Sequence, residues 1–271
     1  MITTLFWNTQ HKPVDRHLER LVNSNKADIV LLAESMYTKD DLLQLVNSSL
    51  PPTIDTFYAL PAGKEPRVQA ISRLTQWQLE FERPRYLGWS FTASSGRRIL
   101  MVAVHFNPIL YEADEQRNTA ISLREDIDNY EDVFVVGDFN ANPFDAGICG
   151  FYGLNASQSR ELVLRLQTRT IEDRKRRFLY NPMWRFLGTS VAEGVSGTYY
   201  NRLPSPVSYD WFILDQLLLT PSLISSFEDD IQILTQDANP EMGGLSLVNP
   251  KSGIPRDRIS DHLPIVFKLN V

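Results

Sequence analysis

The chain has 271 residues, 43% of them hydrophobic and 22% charged, with a formal net charge of −6. That length and composition support a full hydrophobic core, and the acidic balance excludes a protein coated in positive charge for nucleic acid, though not a local basic face. A single cysteine, Cys149, excludes an intrachain disulfide and a cysteine-built zinc site, so a reducing, cytoplasmic location is expected.

Taken in order, residues 5–7 read as a first strand ending at Asn8, in a segment without the basic start and long apolar run of an export leader. Pro13 suits a first helical turn, and Leu18, Leu21 and Val22 recur at helical spacing. Residues 29–33 form a continuous apolar strand that ends at Glu34. A right-handed crossover makes these two strands parallel. Asn8 and Glu34 then share the carboxyl edge of a sheet, where α/β folds bind ligands.

Thr38 is the expected N-cap of a second helix, with Leu42, Leu43 and Val46 facing inward. Residues 57–106 are strand-rich, and the clearest strand, 99–104, runs into His105. A helix over 112–129 precedes the strand 133–136, which stops abruptly at Gly137-Asp138-Phe139-Asn140. Residues 157–177 read as helical, ending in Arg174-Lys175-Arg176-Arg177. An apolar strand over 212–219 is interrupted by Asp215, and Ser260-Asp261-His262 stands before the last strand, 265–269. Loops that choose a substrate are expected at 61–69, 84–97, 144–208 and 236–259. No repeat, low-complexity tract or linker divides the chain, so one domain over 1–271 is expected, and no apolar run is long enough to span a bilayer.

The polar interruptions share a pattern. Asn8, Glu34, His105, Asp138, Asn140, Asp215, Asp261 and His262 each sit within or beside an apolar strand. Asp138 and Asn140 are two apart, so an extended chain points both to one side. Desolvating an ion costs roughly several kcal/mol, and one shared site explains so many polar strand ends better than eight separate accidents. Read singly, each has a plainer use: Asn8, Asp138 and Asn140 as turn residues, Glu34 as a loop carboxylate, Asp215 as half of an ion pair, His105 as a hydrogen-bonded core histidine.

Trp7-Asn8, the run 28–34 ending in Glu34, Gly137-Asp138-Phe139-Asn140 and Ser260-Asp261-His262-Leu263-Pro264, in this order, resemble the endonuclease/exonuclease/phosphatase superfamily of metal-dependent phosphoesterases. The resemblance implies an α/β fold, a four-layer αββα sandwich of two mixed β-sheets flanked by helices. It implies Mg²⁺, with Mn²⁺ as a substitute, held by Glu34 with help from Asn8 and Asp261. Asp138 is then the carboxylate that orients or deprotonates the attacking water, and Asn140 holds the phosphate or that water. His262 donates to the phosphate with Asp215 fixing its ring, and His105 is a phosphate-binding or leaving-group histidine. Abasic-site endonucleases of the family usually carry a tyrosine where this chain has His105, which counts against that specialism. Arg117 loosely resembles a family arginine on the following helix.

Three functions fit these residues. The first is a phosphodiesterase acting on nucleic acid, DNA favoured, with Arg174, Arg176 and Arg177, helped by Arg165 and Arg169, on the backbone and Trp211 among the aromatics available for stacking. The plainer use of the arginine run is a solvated helix end. The second is a hydrolase of small or lipid phosphoesters, such as an inositol phosphate or sphingomyelin. The third is a silent binding scaffold.

Overall fold

The computed structural model describes residues 1–50, 56–63, 66–107, 109–188, 194–202 and 210–271. β1 (Ile2–Asn8), α1 (Asp15–Asn25) and β2 (Ile29–Ala33) form the expected unit, with β1 and β2 parallel and Asn8 beside Ala33. Both strands are buried along their whole length, as strands covered on two faces must be. Leu18, Leu21 and Val22 are the buried face of α1, but Pro13 stands outside the helix, ahead of its N-cap Val14. α2 (Lys39–Ser48) begins in a capping box: Thr38 Oγ1 accepts from the Asp41 amide, and the Asp41 carboxylate accepts from the Thr38 amide. Such a cap stabilises by about 1 kcal/mol.

β4 (Val68–Ser72) extends this sheet antiparallel to β2, and β3 (Tyr58–Ala59) pairs antiparallel with β4. The second sheet starts as a meander of β5 (Gln78–Arg83), β6 (Tyr86–Thr92) and β7 (Arg98–His105). The expected loop at 84–97 is therefore mostly β6, whose Trp89 is fully buried between the sheets. α3 (Ile109–Ile127) then crosses over to β8 (Asp132–Asp138), parallel to β7.

After α4 (Ala146–Cys149) and β9 (Ala156–Ser157), the helix expected over 157–177 lasts only for α5 (Arg160–Leu166). The chain instead turns into a hairpin, β10 (Thr168–Ile171) and β11 (Arg174–Arg177), followed by β12 (Leu179–Tyr180). Its two turn residues, Glu172 and Asp173, have φ of 49° and 63°. Two left-handed residues in succession match the right-handed twist of a tight hairpin. The arginine run is thus a strand, not a helix end. The apolar run at 212–219 is likewise two strands: β14 (Trp211–Phe212), paired with β13 (Tyr199–Tyr200), and β15 (Asp215–Leu219). β16 (Phe227–Ile233) and β17 (Ile265–Leu269) finish the fold.

Two mixed sheets result, ordered β16-β17-β1-β2-β4-β3 and β5-β6-β7-β8-β15-β12-β9. One apolar cluster, including Phe6, Leu31, Trp89, Phe134 and Phe267, fills the space between them. A second joins the first sheet to α1 and α2, and a third joins the other sheet to α3. These are the four layers of an αββα sandwich. Among the described residues no helix is long and apolar enough to cross a membrane.

Candidate active site

The polar strand ends meet along one edge of the sandwich. β1 and β2 face β8, and β4 faces β7. Asn8 ends β1, Glu34 follows β2, His105 ends β7 and Asp138 ends β8. Register pairs His105 with Asp138 on one side and Asp138 with Asp215 on the other. Asp261 and His262 enter from the segment before β17, where Ser260 Oγ donates to the Asn8 carbonyl (2.8 Å) and Trp7 Nε1 donates to the His262 carbonyl (3.0 Å).

Gly137 explains how Asp138 reaches this edge. Its φ is +147°, and a Cβ there would lie 2.2 Å from the Val104 carbonyl oxygen of β7. Only glycine permits that approach. The turn beyond is built by the motif itself: the Asn140 amide donates to Asp138 Oδ1 (2.8 Å), and Asn140 Nδ2 donates to the Phe106 carbonyl (2.9 Å). Gln10, His11, Glu34 and Asn140 all have left-handed backbone, with φ of 47° to 51°. For a residue such as Glu34 that conformation costs roughly 1–3 kcal/mol, a strain typical of functional sites.

Asp138 is the hub. Its Oδ2 accepts from Asn8 Nδ2 at 2.9 Å and lies 4.0 Å from the Nε2 atoms of both His105 and His262. Burial raises its carboxyl to about 6, against the pull of His262, while the nearby Asp215 adds to the rise. His262 Nδ1 meets Asp215 Oδ2 at 2.8 Å, both groups buried. Burial alone would lower the imidazole, but Asp215 and Asp138 outweigh it and raise it to about 10, so the ring is cationic at neutral pH. Tyr199 covers it, ring to ring at 5.0 Å. Glu34 Oε1 lies 3.3 Å from His105 Nε2 and accepts from Asn8 Nδ2 at 3.3 Å. The His105 contact is the main reason that the Glu34 carboxyl falls to about 2, in spite of burial.

Two groups of side chains bear on a metal. Asp138, Asp215 and His262 offer three ligand atoms within 4.8 Å of one another. A protonated imidazole already bonded to Asp215 is a poor ligand, and this group works better as a proton-handling unit. Glu34 and Asp261 present hard carboxylate oxygens, which suit Mg²⁺, whereas Asn8, expected as a ligand, turns its Nδ2 to Glu34 and Asp138 while its Oδ1 accepts from the Gln10 amide (3.0 Å). Asp261 supports this fit: Oδ2 accepts from Gln10 Nε2 (2.8 Å), while Oδ1 is buried without a partner. Burial also raises the Asp261 carboxyl, a cost that a cation would remove.

A cavity of about 540 Å³ opens beside Glu34 and His105, with His11, Arg67 and Gln69 also on its wall.

A sequence model of the endonuclease/exonuclease/phosphatase family matches residues 5–262. The chain belongs to that family. Among solved structures it resembles a 3′-5′ exonuclease (NExo) from Neisseria meningitidis, at 16% identity and TM-score 0.57 with all of both chains covered. It also resembles TDP2 of D. rerio complexed with a single-strand DNA product, at 14% identity and TM-score 0.57, covering 100% of this chain and 99% of that one. The human Nocturnin catalytic domain with bound sulfate aligns at 14% identity and TM-score 0.52, covering 98% and 93%. No curated protein matches the chain in sequence. At these identities the structures establish the shared fold, and the family's members are hydrolases of phosphoester bonds.

The eight strand-end residues named from the sequence thus come together; the weaker substrate candidates do not join them. Arg117 is exposed on α3. Arg176 pairs with Asp128 at 3.0 Å, and Arg177 donates to the carbonyls of Ile127, Tyr130 and Glu131, at the end of β8 opposite Asp138. Arg174 lies exposed on the same strand and does not line the cavity. Trp211 is half-buried against Tyr200, with ring centroids 5.3 Å apart. Sequence reasoning missed the supports. Gln116 Nε2 donates to the carbonyls of Phe139 and Asn140, and Thr198 Oγ1 accepts from the amides of Leu214 and Asp215. Gln10, two residues past Asn8, had position as its one signal.

Proposed function

We propose that this family member is a Mg²⁺-dependent phosphodiesterase of nucleic acid, DNA favoured, with Mn²⁺ able to replace Mg²⁺. The observation that carries it is the buried row of Asp215, His262 and Asp138 beside the carboxylates of Glu34 and Asp261, with Asn8 donating to both Glu34 and Asp138. The DNA complexes of similar structures favour the substrate class.

Glu34 and Asp261 would hold the divalent ion, which supplies positive charge at a phosphate oxygen, and Asn8 fixes Glu34 and Asp138 through its Nδ2. Asp138, with its carboxyl raised to about 6, aligns a water for in-line attack and takes its proton near neutral pH. Asn140 holds that water or a phosphate oxygen. Negative charge growing on the nonbridging oxygens meets His262, whose cationic ring is kept in place by Asp215. His105 meets the phosphate from the β7 side.

Incubation with plasmid, single-stranded and abasic DNA plus Mg²⁺ or Mn²⁺ tests the reading. Cleavage to oligonucleotides, with little free phosphate, is expected from the wild type and not from Asp138→Ala. Absence of cleavage by the wild type, or equal cleavage by the variant, overturns it.

A further inference from the structure

The polar edge has an order across the strands. His262 and Asp215 occupy one end, Asn8 and Asp138 the middle, and Glu34 and His105 come next. β4 lies beyond β2, and its register pairs Val68 with Ala33. Arg67 and Glu34 are the residues just past that pair, so they leave neighbouring strands side by side, separated by about one strand spacing, ~4.8 Å.

Arg67 shares the cavity with Glu34, His11 and His105. It is exposed and has no hydrogen-bond or ion-pair partner among the described residues. Other arginines of this chain are engaged: Arg97 with Asp132, Arg98 with Glu80, Arg124 with Asp128. Glu34 does not neutralise Arg67, because His105 and Asn8 take Oε1 and His11 stands 3.8 Å from Oε2. A guanidinium offers a planar fork of donors that matches a phosphate and stays charged at any working pH. In the reading above the scissile phosphate is already met by His105, Asn140 and His262, one, two and three steps along that order from β4. Arg67 therefore faces the part of a substrate that lies past the scissile phosphate.

We infer that Arg67 is a specificity-determining residue that binds a second, non-scissile phosphate, making the preferred substrate an oligonucleotide with adjacent phosphates rather than an isolated phosphodiester. The inference rests on the phosphodiesterase reading above. It predicts a graded selectivity: Arg67→Ala loses both charge and fork, whereas Arg67→Lys keeps the charge alone.

The test compares two substrates in the presence of Mg²⁺ or Mn²⁺: a dinucleoside monophosphate, and the same compound carrying an additional terminal phosphate on each end in turn. The readout is the ratio of kcat/KM for the second over the first. Wild type should favour the added phosphate at one end. Arg67→Ala should lower that ratio about tenfold, mainly through KM, and Arg67→Lys should lower it less. Circular dichroism and melting confirm that both variants fold. An unchanged ratio in both variants, or a wild type that does not favour the added phosphate, overturns the role of Arg67 and leaves the phosphodiesterase reading intact. A wild type that cleaves neither compound, nor longer DNA, overturns that reading and this one together.

Discussion

The polar edge of the sandwich and the β10–β11 hairpin both concentrate charge, and they handle it in opposite ways. At the edge, Asp138, Asp215 and His262 are buried, arise from separate strands and touch one another. In the hairpin four consecutive cations come from one strand, and its two half-buried arginines turn to their own surroundings. Arg177 donates to the last carbonyl of α3, Ile127, and to Tyr130 and Glu131 in the turn that follows. A run of like charge in sequence is therefore a weaker sign of chemistry than single polar residues scattered at strand ends, because folding gathers the second kind and disperses the first.

Experiments on both regions press on this contrast. Chelation should have the largest effect: EDTA should abolish cleavage and added Mg²⁺ or Mn²⁺ restore it, while calorimetry should show weaker metal binding by Glu34→Gln. Next, Asp138→Ala should lower kcat by roughly 10²–10⁴-fold without unfolding the protein, measured on DNA with metal present. A smaller loss of about 10²–10³-fold is expected for His262→Ala.

The pH profile sharpens the roles. Activity should fall as pH drops through about 6, where Asp138 takes up a proton, and again as pH rises through about 10, where His262 loses one. A bound divalent cation draws both limbs to lower pH. Asp215→Asn removes the anion that holds the proton on His262, so the alkaline limb should move down. An unmoved limb in kcat/KM would detach Asp215 from this role.

In the hairpin the effects are on stability alone. Arg177→Ala removes a donor from three carbonyls and should cost about 1–3 kcal/mol in denaturant unfolding. Arg174→Ala should change stability by no more than about 0.5 kcal/mol and leave DNA cleavage unaltered. Weaker, salt-sensitive DNA binding by that variant would return the arginine run to the substrate path.

The contrast also explains what could be read from the chain. Polar residues that interrupt apolar strands stand out against a pattern of period two, so Asn8, Glu34, His105, Asp138, Asp215 and His262 were legible, as were both sheets in outline. The hairpin was not. Residues 157–177 are rich in Leu, Arg and Glu, which favour helix, and the turn at Glu172-Asp173 lacks the glycine or asparagine that marks a left-handed pair. Arg67, Gln116 and Thr198 were illegible for another reason. Their importance comes from partners or cavity neighbours 16 or more residues away along the chain, and nothing in their neighbours signals it.

Gly137 gives the Gly-Asp-Phe-Asn motif two separable meanings. Its glycine answers to the carbonyl of Val104 and so belongs to the architecture, whereas the carboxylate and carboxamide beyond it belong to the reaction proposed above. A descendant of this chain that kept the glycine and lost Asp138 would still close its sheets and would hydrolyse nothing. Of the four letters, the first reports ancestry, and the second and fourth report whether the enzyme still works.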